Sequence, residues 1–233
     1  ERFIYERGRI VGSDVFSRAP GLGRSEYKQT YMYNAIGELD EIRDLYDNGQ
    51  QHVSYVRVRE ETNIDSLVND LARQMADAVV EALLKEKIEQ PLASLELFYK
   101  SVSNYVPLLR PRSLADWEDL IAAYGEELNF ELLFLPSGAE DTVKMRQGPW
   151  ARPLQELMQI MEQEEDYSIG RKMIRKSAFL LTRGKLNGKI AVSGDFVAYA
   201  IDWESDGHEF GEVLRACGQS EEVISDWKKR GWL

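Results

Sequence analysis

The chain has 233 residues, a net charge of −11, 43% apolar and 30% charged residues, an ordinary balance for a water-soluble globular protein. No stretch approaches 18 uninterrupted apolar residues, so a membrane-spanning helix is not expected. The acidic excess repels phosphate backbones and anionic lipid, which argues against nucleic acid and membrane surfaces and favours basic partners.

The opening residues, ERFIYERGR, carry charges where a signal peptide needs an apolar run. The sequence does not begin with Met, which leaves an upstream export signal open. Residues 3–11 read as two short strands about Glu6–Gly8, and Pro20-Gly21-Leu22-Gly23 reads as a loop. Tyr27, Thr30, Tyr31 and Tyr33 suit a strand over Glu26–Asn34. Asn34 then caps an expected helix over Ala35–Tyr46, with Ile36, Leu39, Ile42 and Leu45 on one face and Asn48-Gly49 as its stop. Val53–Val58 alternates as a strand does.

Ile64–Glu89 carries the strongest pattern in the chain. Ile64, Leu67, Val68, Leu71, Met75, Val79 and Leu83 repeat at one-face helical spacing. A second apolar row (Val80, Leu84, Ile88) joins near the end, so this helix of ~39 Å at ~1.5 Å per residue is expected to run through the core. After Gln90-Pro91, the positions Leu92, Leu95, Tyr99, Val102 and Val106 predict a second helix, ended by Pro107 to Pro111. Ser113 and Asp116 form a capping-box spacing ahead of Leu114, Trp117, Ile121 and Tyr124, with Gly125 as the stop. The short apolar run Phe130–Leu135, before Pro136-Ser137-Gly138, reads as a buried strand. Trp150, Leu154, Leu157, Met158 and Met161 mark a helix whose methionines suit a core, with Gln155, Glu156, Gln159 and Glu162 outside.

Three strands are expected near the end: Ser177–Thr182, Lys189–Ser193 and Asp195–Trp203. Leu186-Asn187-Gly188 gives a hairpin signal and Ser193-Gly194-Asp195 a second turn. The last strand is apolar on both faces, which predicts a central position. Two short helices follow, around Glu209–Ala216 and Ser220–Arg230. The expected class is therefore α+β, with a mixed or antiparallel sheet, a long central helix and several flanking helices. One domain over 1–233 is expected, with 1–62 able to form a peripheral β/α subunit packed on 63–233.

Few groups carry recognisable chemistry. Gly21-Leu22-Gly23 is a fragment of a dinucleotide fingerprint without its strand–turn–helix setting. His52 and His208 are the sole histidines and Cys217 the sole thiol, too few for a Cys/His zinc site, and no serine sits in a nucleophile elbow. Cys217 reads as a small buried thiol and suits a reducing, cytoplasmic setting. Seven basic residues lie between Arg171 and Lys189 with no acid among them; protection of exposed strand edges is their simplest role. An acidic constellation, Asp195, Asp202, Glu204, Asp206 and His208, lies along the last strand and just after it. Asp195, Asp202, Glu204 and His208 form the alternative metal or acid/base set, for a metal-dependent hydrolase.

The segment DFVAYAIDWESDGHEFGEVLRACGQSEEVISDWKKRGWL resembles the tail of uncharacterised bacterial families of polymorphic toxin–immunity loci. The residues that carry the resemblance are Asp195-Phe196-Val197, Asp202-Trp203-Glu204 and Gly231-Trp232-Leu233. It implies an α+β protein that neutralises a partner toxin by direct association, needing neither cofactor nor metal. A basic toxin domain suits the charge. Expected partner-binding residues are Asp202, Glu204, Asp206, Glu209, Glu162, Glu164 and Glu165. The metal-dependent hydrolase and a structural or scaffold protein are the alternatives. The residues do not fix an oligomeric state.

Overall fold

A computed structural model describes residues 2–19, 23–59, 62–101, 104–134, 142–202 and 210–233. Among these are nine strands and seven α-helices, an α+β arrangement with two sheets rather than one. The chain divides into two compact units. One comprises Glu1–Leu67 with Gln147–Asp166, and the other Val68–Arg146 with Tyr167–Leu233.

The first unit is an antiparallel meander. Its strands β1 (Arg2–Glu6), β2 (Arg9–Ala19), β3 (Gly23–Tyr33), β4 (Leu39–Tyr46) and β5 (Gln51–Val56) pair in chain order. The expected opening pair of strands is present, as are the strands at 26–34 and 53–58. The expected helix over Ala35–Tyr46 is not: β4 occupies it. The Asn34 side chain does accept backbone N–H bonds, but from Ile36 and Glu38 (3.1 and 2.9 Å), and these close a tight turn in which Gly37 takes φ 85°. The bonds that cap a helix also close a turn, and cross-strand pairing along Tyr27–Tyr33 then holds the chain extended. Asn48-Gly49 is likewise the β4–β5 turn, with Gly49 at φ 78°. A register shift between β4 and β5 pairs Ile42 with Tyr55 but Arg43 with Val53, so Val53 and Val56 are both buried despite their odd spacing. Helix α4 (Ala151–Glu164), whose label follows its place in the chain, packs on β5. It buries Leu154, Leu157, Ile160 and Met161, as the sequence stripe requires. Gln155, expected outside, instead donates to the Ser54 carbonyl at 3.3 Å.

The second unit holds most of α1 (Ile64–Lys85), whose N-terminus is capped by the Asn63 side chain. Val68, Leu71, Met75, Val79, Val80 and Leu83 are buried, so the doubled apolar face is real up to Leu83, while Leu84 is exposed. The expected second helix from Leu92 is a strand pair, β6 (Leu92–Lys100) and β7 (Asn104–Ser113). Leu92, Leu95 and Tyr99 satisfy helical spacing, but Leu95, Leu97 and Tyr99 also alternate, and β6 is buried almost throughout. Pro107 and Pro111 lie within β7. Such residues are tolerated because the next strand, β8 (Val143–Lys144), pairs with β7 only at Leu108 and Leu109. Ser113 and Asp116 form the expected capping box of α2 (Leu114–Tyr124), and Gly125 ends it. The run from Phe130 is a short helix, α3 (Phe130–Phe134), rather than a strand. Asn129 caps it, and Arg112 donates to its Leu132 and Leu133 carbonyls. Pro136-Ser137-Gly138 and Pro20-Gly21-Leu22 lie outside the described residues.

The segment Ser177–Thr182 is also helical, inside α5 (Ser168–Gly184), which buries Gly170, Met173, Ile174, Ser177, Ala178 and Leu181. That spacing is helical; small residues occupy half of it and disguise the apolar face. Leu186, Asn187 and Gly188 do take positive φ (54°, 57° and 66°), but they join α5 to a strand instead of closing a hairpin. The two expected strands beyond them are one, β9 (Val192–Ile201). The Ser193-Gly194-Asp195 turn is a bulge in it: Leu92 pairs with Val192, yet Ser94 pairs with Val197. β9 is buried on both faces from Phe196 onward, but it lies at the end of the order β8-β7-β6-β9, parallel to β6, and is not central. Its outer edge is closed by side chains. Thr182 Oγ1 both donates to the Ala198 carbonyl and accepts from the Ala198 N–H, each at 3.0 Å, and the Ala200 N–H donates to Cys217 Sγ at 3.4 Å. The two closing helices are α6 (Phe210–Ala216) and α7 (Glu221–Lys229), the latter capped by Ser220.

Candidate functional site

The acidic residues singled out from the sequence fall in different settings. Asp202 is buried (4% exposed), and its Oδ2 accepts from the Ser101 N–H at 3.0 Å and the Ser101 hydroxyl at 2.7 Å. This carboxylate ties the end of β9 to the end of β6. Asp195 is exposed at the other end of β9, where its carbonyl accepts from Gln219. Seven residues of extended chain at ~3.3 Å each separate it from Asp202, too far to share one ion. Glu204, Asp206, His208 and Glu209 lie outside the described residues. Among the described residues, no group of three or more His, Cys, Asp or Glu side chains could hold a metal ion. Glu162, Glu164 and Glu165 are exposed at the C-terminal end of α4, beside Asp166 and with no basic residue in the last turn. A helix C-terminus favours cations, so this acidic end is locally unfavourable. Glu165 adds a left-handed backbone (φ 53°, ψ 26°) at a position where glycine is the unstrained choice.

Among the described residues, the aromatic side chains of the C-terminal segment are core. Trp117, Phe134, Tyr199, Phe210 and Trp227 pack with ring centroids 4.8–5.7 Å apart, and Trp232 lies 6.2 Å from Trp117. Trp232, part of the segment with the family resemblance, thus fills the second unit's interior. The Tyr199 hydroxyl donates to the Phe134 carbonyl at 3.1 Å. Burial, then the neighbouring Glu96, push its pKa well above the ordinary tyrosine value, against the opposing pull of Arg112 and Arg110. Glu96 is itself buried and faces its cross-strand partner Arg110 at 3.4 Å.

A more organised surface lies on the first sheet. Ser13, Gln29, Asp44 and His52 are direct cross-strand partners on β2, β3, β4 and β5, so they form one row on one face. The row is hydrogen-bonded from Ser13 to Asp44. Ser13 donates to Gln29 Oε1 at 3.0 Å, Gln29 Nε2 donates to Asp44 Oδ1 at 2.9 Å, and Ser54 donates to the same Oδ1 at 2.9 Å. His52 Nδ1 is 3.8 Å from Asp44 Oδ2, and Tyr31 donates to Gln29 Oε1 at 3.0 Å. The serine therefore serves the carboxylate and not the histidine, which is not the order of a nucleophilic triad. By the same register Tyr27 and Tyr46 stand together on one side of the row, rings 5.3 Å apart, and Tyr31 stands opposite Ile42 on the other. These tyrosines are half-buried, while Ser13 and Asp44 beneath them are buried. Burial and then Asp44 raise the Tyr46 pKa, so its hydroxyl stays neutral and able to donate. The arrangement is a rigid aromatic face with a fixed polar centre.

The sequence signal for this face is partial. Tyr27, Gln29, Tyr31 and Tyr33 share a face by period two. A helical reading of their segment hides Asp44 and Tyr46, and no local pattern announces a row built across four strands.

A cavity of about 400 Å³ in the same unit is lined by Arg57, Arg59, Thr62, Arg152 and Glu156. Its guanidinium groups are largely answered: Arg57 pairs with Glu38 at 2.8 Å, and Arg152 with Asp40 at 3.0 Å and buried Glu41 at 3.4 Å. Thr62 donates to Glu156 at 2.9 Å. The cavity is polar and close to charge balance, so it carries no strong preference for an anion.

Comparison with protein-family models, with curated proteins and with solved structures returns no match. No helix among the described residues is long and apolar enough to cross a membrane.

Proposed function

We propose that this protein works by binding: it holds a partner protein in the manner of bacterial immunity proteins and neutralises it by direct association, with no chemistry of its own. The observation that carries the reading is the tyrosine face of the first sheet. Tyrosine supplies large, stiff, amphipathic contact area at low entropic cost, which is why binding surfaces are rich in it. Here the bonded row from Ser13 to Asp44 fixes Gln29 and Tyr31 before any partner arrives, which lowers the cost of ordering on association.

Charge supports the same reading and favours a basic partner. The first unit has 17 acidic and 10 basic residues, −7, against 23 and 19, −4, in the second. A basic toxin domain would be drawn to the first unit, and faster at low salt. Glu162, Glu164 and Glu165 belong to that unit and keep their proposed place in the interface. Asp202, held by Ser101, leaves it. The resemblance of the C-terminal segment to immunity families agrees with this class of partner, and a reducing cytoplasm suits the single buried thiol.

The test is affinity capture of the tagged protein from cells that make it, with mass spectrometry of the retained material. A single basic protein at one-to-one stoichiometry is expected. A clean preparation with nothing at stoichiometry, over a wide range of salt, would contradict the proposal.

A further inference from the structure

Strand β1 carries opposite charges at its two ends and apolar residues between them. It pairs with β2 on one side and has no strand on its other side among the described residues. All five of its residues are exposed, with Phe3 at 42%, Ile4 at 48% and Tyr5 at 63%. An exposed apolar strand with open backbone groups is a template for another strand.

The hairpin decides which groups are open. Arg7 and Gly8 form a two-residue turn with φ 50° and 79°, flanked by the cross-strand partners Glu6 and Arg9. A turn of this type joins a hydrogen-bonded pair, so Glu6 directs its N–H and C=O to β2, and by alternation so do Ile4 and Arg2. Phe3 and Tyr5 direct theirs to the open edge. The one irregularity, an extra residue between Gly12 and Ile10, is on β2 and leaves the pleat of β1 intact.

We propose that this edge pairs antiparallel with β1 of a second copy, about a two-fold axis through Ile4. In that register Phe3 of each copy meets Tyr5 of the other, and these are the residues whose N–H and C=O groups are open. Each such pair exchanges two hydrogen bonds, and the two sheets become one. Arg2 meets Glu6 at both ends, Ile4 meets Ile4, and aromatic and opposite-charge cross-strand pairs are the favourable ones. Shifting the register by one residue sets open groups against closed ones; shifting it by two loses both ion pairs. Five residues per copy is small against a standard interface, so the dimer dissociates on dilution. The inference is independent of the proposed partner.

The experiment is sedimentation velocity of the 233-residue chain over a concentration series. The wild type should pass from monomer to dimer as concentration rises. Arg2→Glu alone sets two carboxylates face to face at each end of the strand pair, and Glu6→Arg alone sets two guanidinium groups face to face. Each variant should therefore dimerise about tenfold more weakly. Mixed together, the two variants should form a heterodimer, since each end then sets a carboxylate of one copy against a guanidinium of the other; a double variant, Arg2→Glu with Glu6→Arg, restores an opposite-charge pair at both ends and should dimerise near wild-type affinity. Tyr5→Pro removes an outward N–H while sparing the bonds to β2, and should abolish the dimer with the circular dichroism unchanged. A monomer at every concentration would overturn the proposal. So would a dimer indifferent to Tyr5→Pro, or a double variant no tighter than the single ones.

Discussion

Thr182→Val tests how the open edge of β9 is kept from solvent and from other strands. The substitution is nearly isosteric, and Thr182 is buried (5% exposed). It removes one hydroxyl that satisfies both the N–H and the C=O of Ala198 at 3.0 Å. Each buried backbone group left without a partner costs about 1–3 kcal/mol, and the added methyl returns somewhat under 1 kcal/mol. The net loss is about 3 kcal/mol, which at this chain length lowers the melting temperature by roughly 6–12 °C. Thr182→Ser keeps the hydroxyl and loses only a methyl group, so it should cost about 1 kcal/mol. Thermal and urea denaturation of the three proteins decide the matter. A valine variant that melts within about 2 °C of wild type would refute the claim that this hydroxyl closes the edge.

Other expectations rest on single sites. Glu165→Gly should stabilise by about 1 kcal/mol, since it relieves a left-handed non-glycine residue and removes a negative charge from a helix C-terminus; a lower melting temperature would count against that account. Asp202→Ala should cost about 2–4 kcal/mol through the lost bonds to Ser101 and leave partner binding unchanged at temperatures where the variant is folded; weakened binding would return this carboxylate to the interface. Tyr199 has a folded pKa raised above its ordinary value of 10.0, so its contribution to stability is complete below about pH 10 and is lost as pH rises further, at up to ~1.4 kcal/mol per unit. Urea denaturation over that range should show the decline, and Tyr199→Phe should flatten it; equal slopes in both proteins would exclude Tyr199 as the source.

The helices whose faces are made of large apolar residues are readable in the sequence. α1, α2 and α4 each repeat leucine, valine, methionine or tryptophan at helical spacing, and Ser113, Gly125 and Ser220 mark ends by their own local bonding. The misread segments share a cause. Leu95 and Tyr99, four apart, fit two periods at once, and only pairing with Arg110–Ser113 and Val197–Ile201 selects the strand. Asn34 bonds its downstream amides in a turn as it would at a helix start. α5 hides its face behind Gly170, Ser177 and Ala178, where small residues allow close packing but give little hydrophobic signal. The candidate face suffers most, since its polar row draws one residue from each of four strands. Local spacing can place Tyr27, Gln29 and Tyr31 together, but bringing Asp44 beneath them takes the β3–β4 register.

The measurement that tests the binding proposal most directly is titration calorimetry of the captured partner against wild type, Tyr27→Ala and Tyr31→Ala. Tyrosines at the centre of an interface cost about 2 kcal/mol or more when truncated. Each variant should therefore bind at least about thirtyfold more weakly while its far-ultraviolet spectrum stays that of the wild type. Affinities within twofold of wild type for both variants would place the partner elsewhere and contradict the assignment of this face.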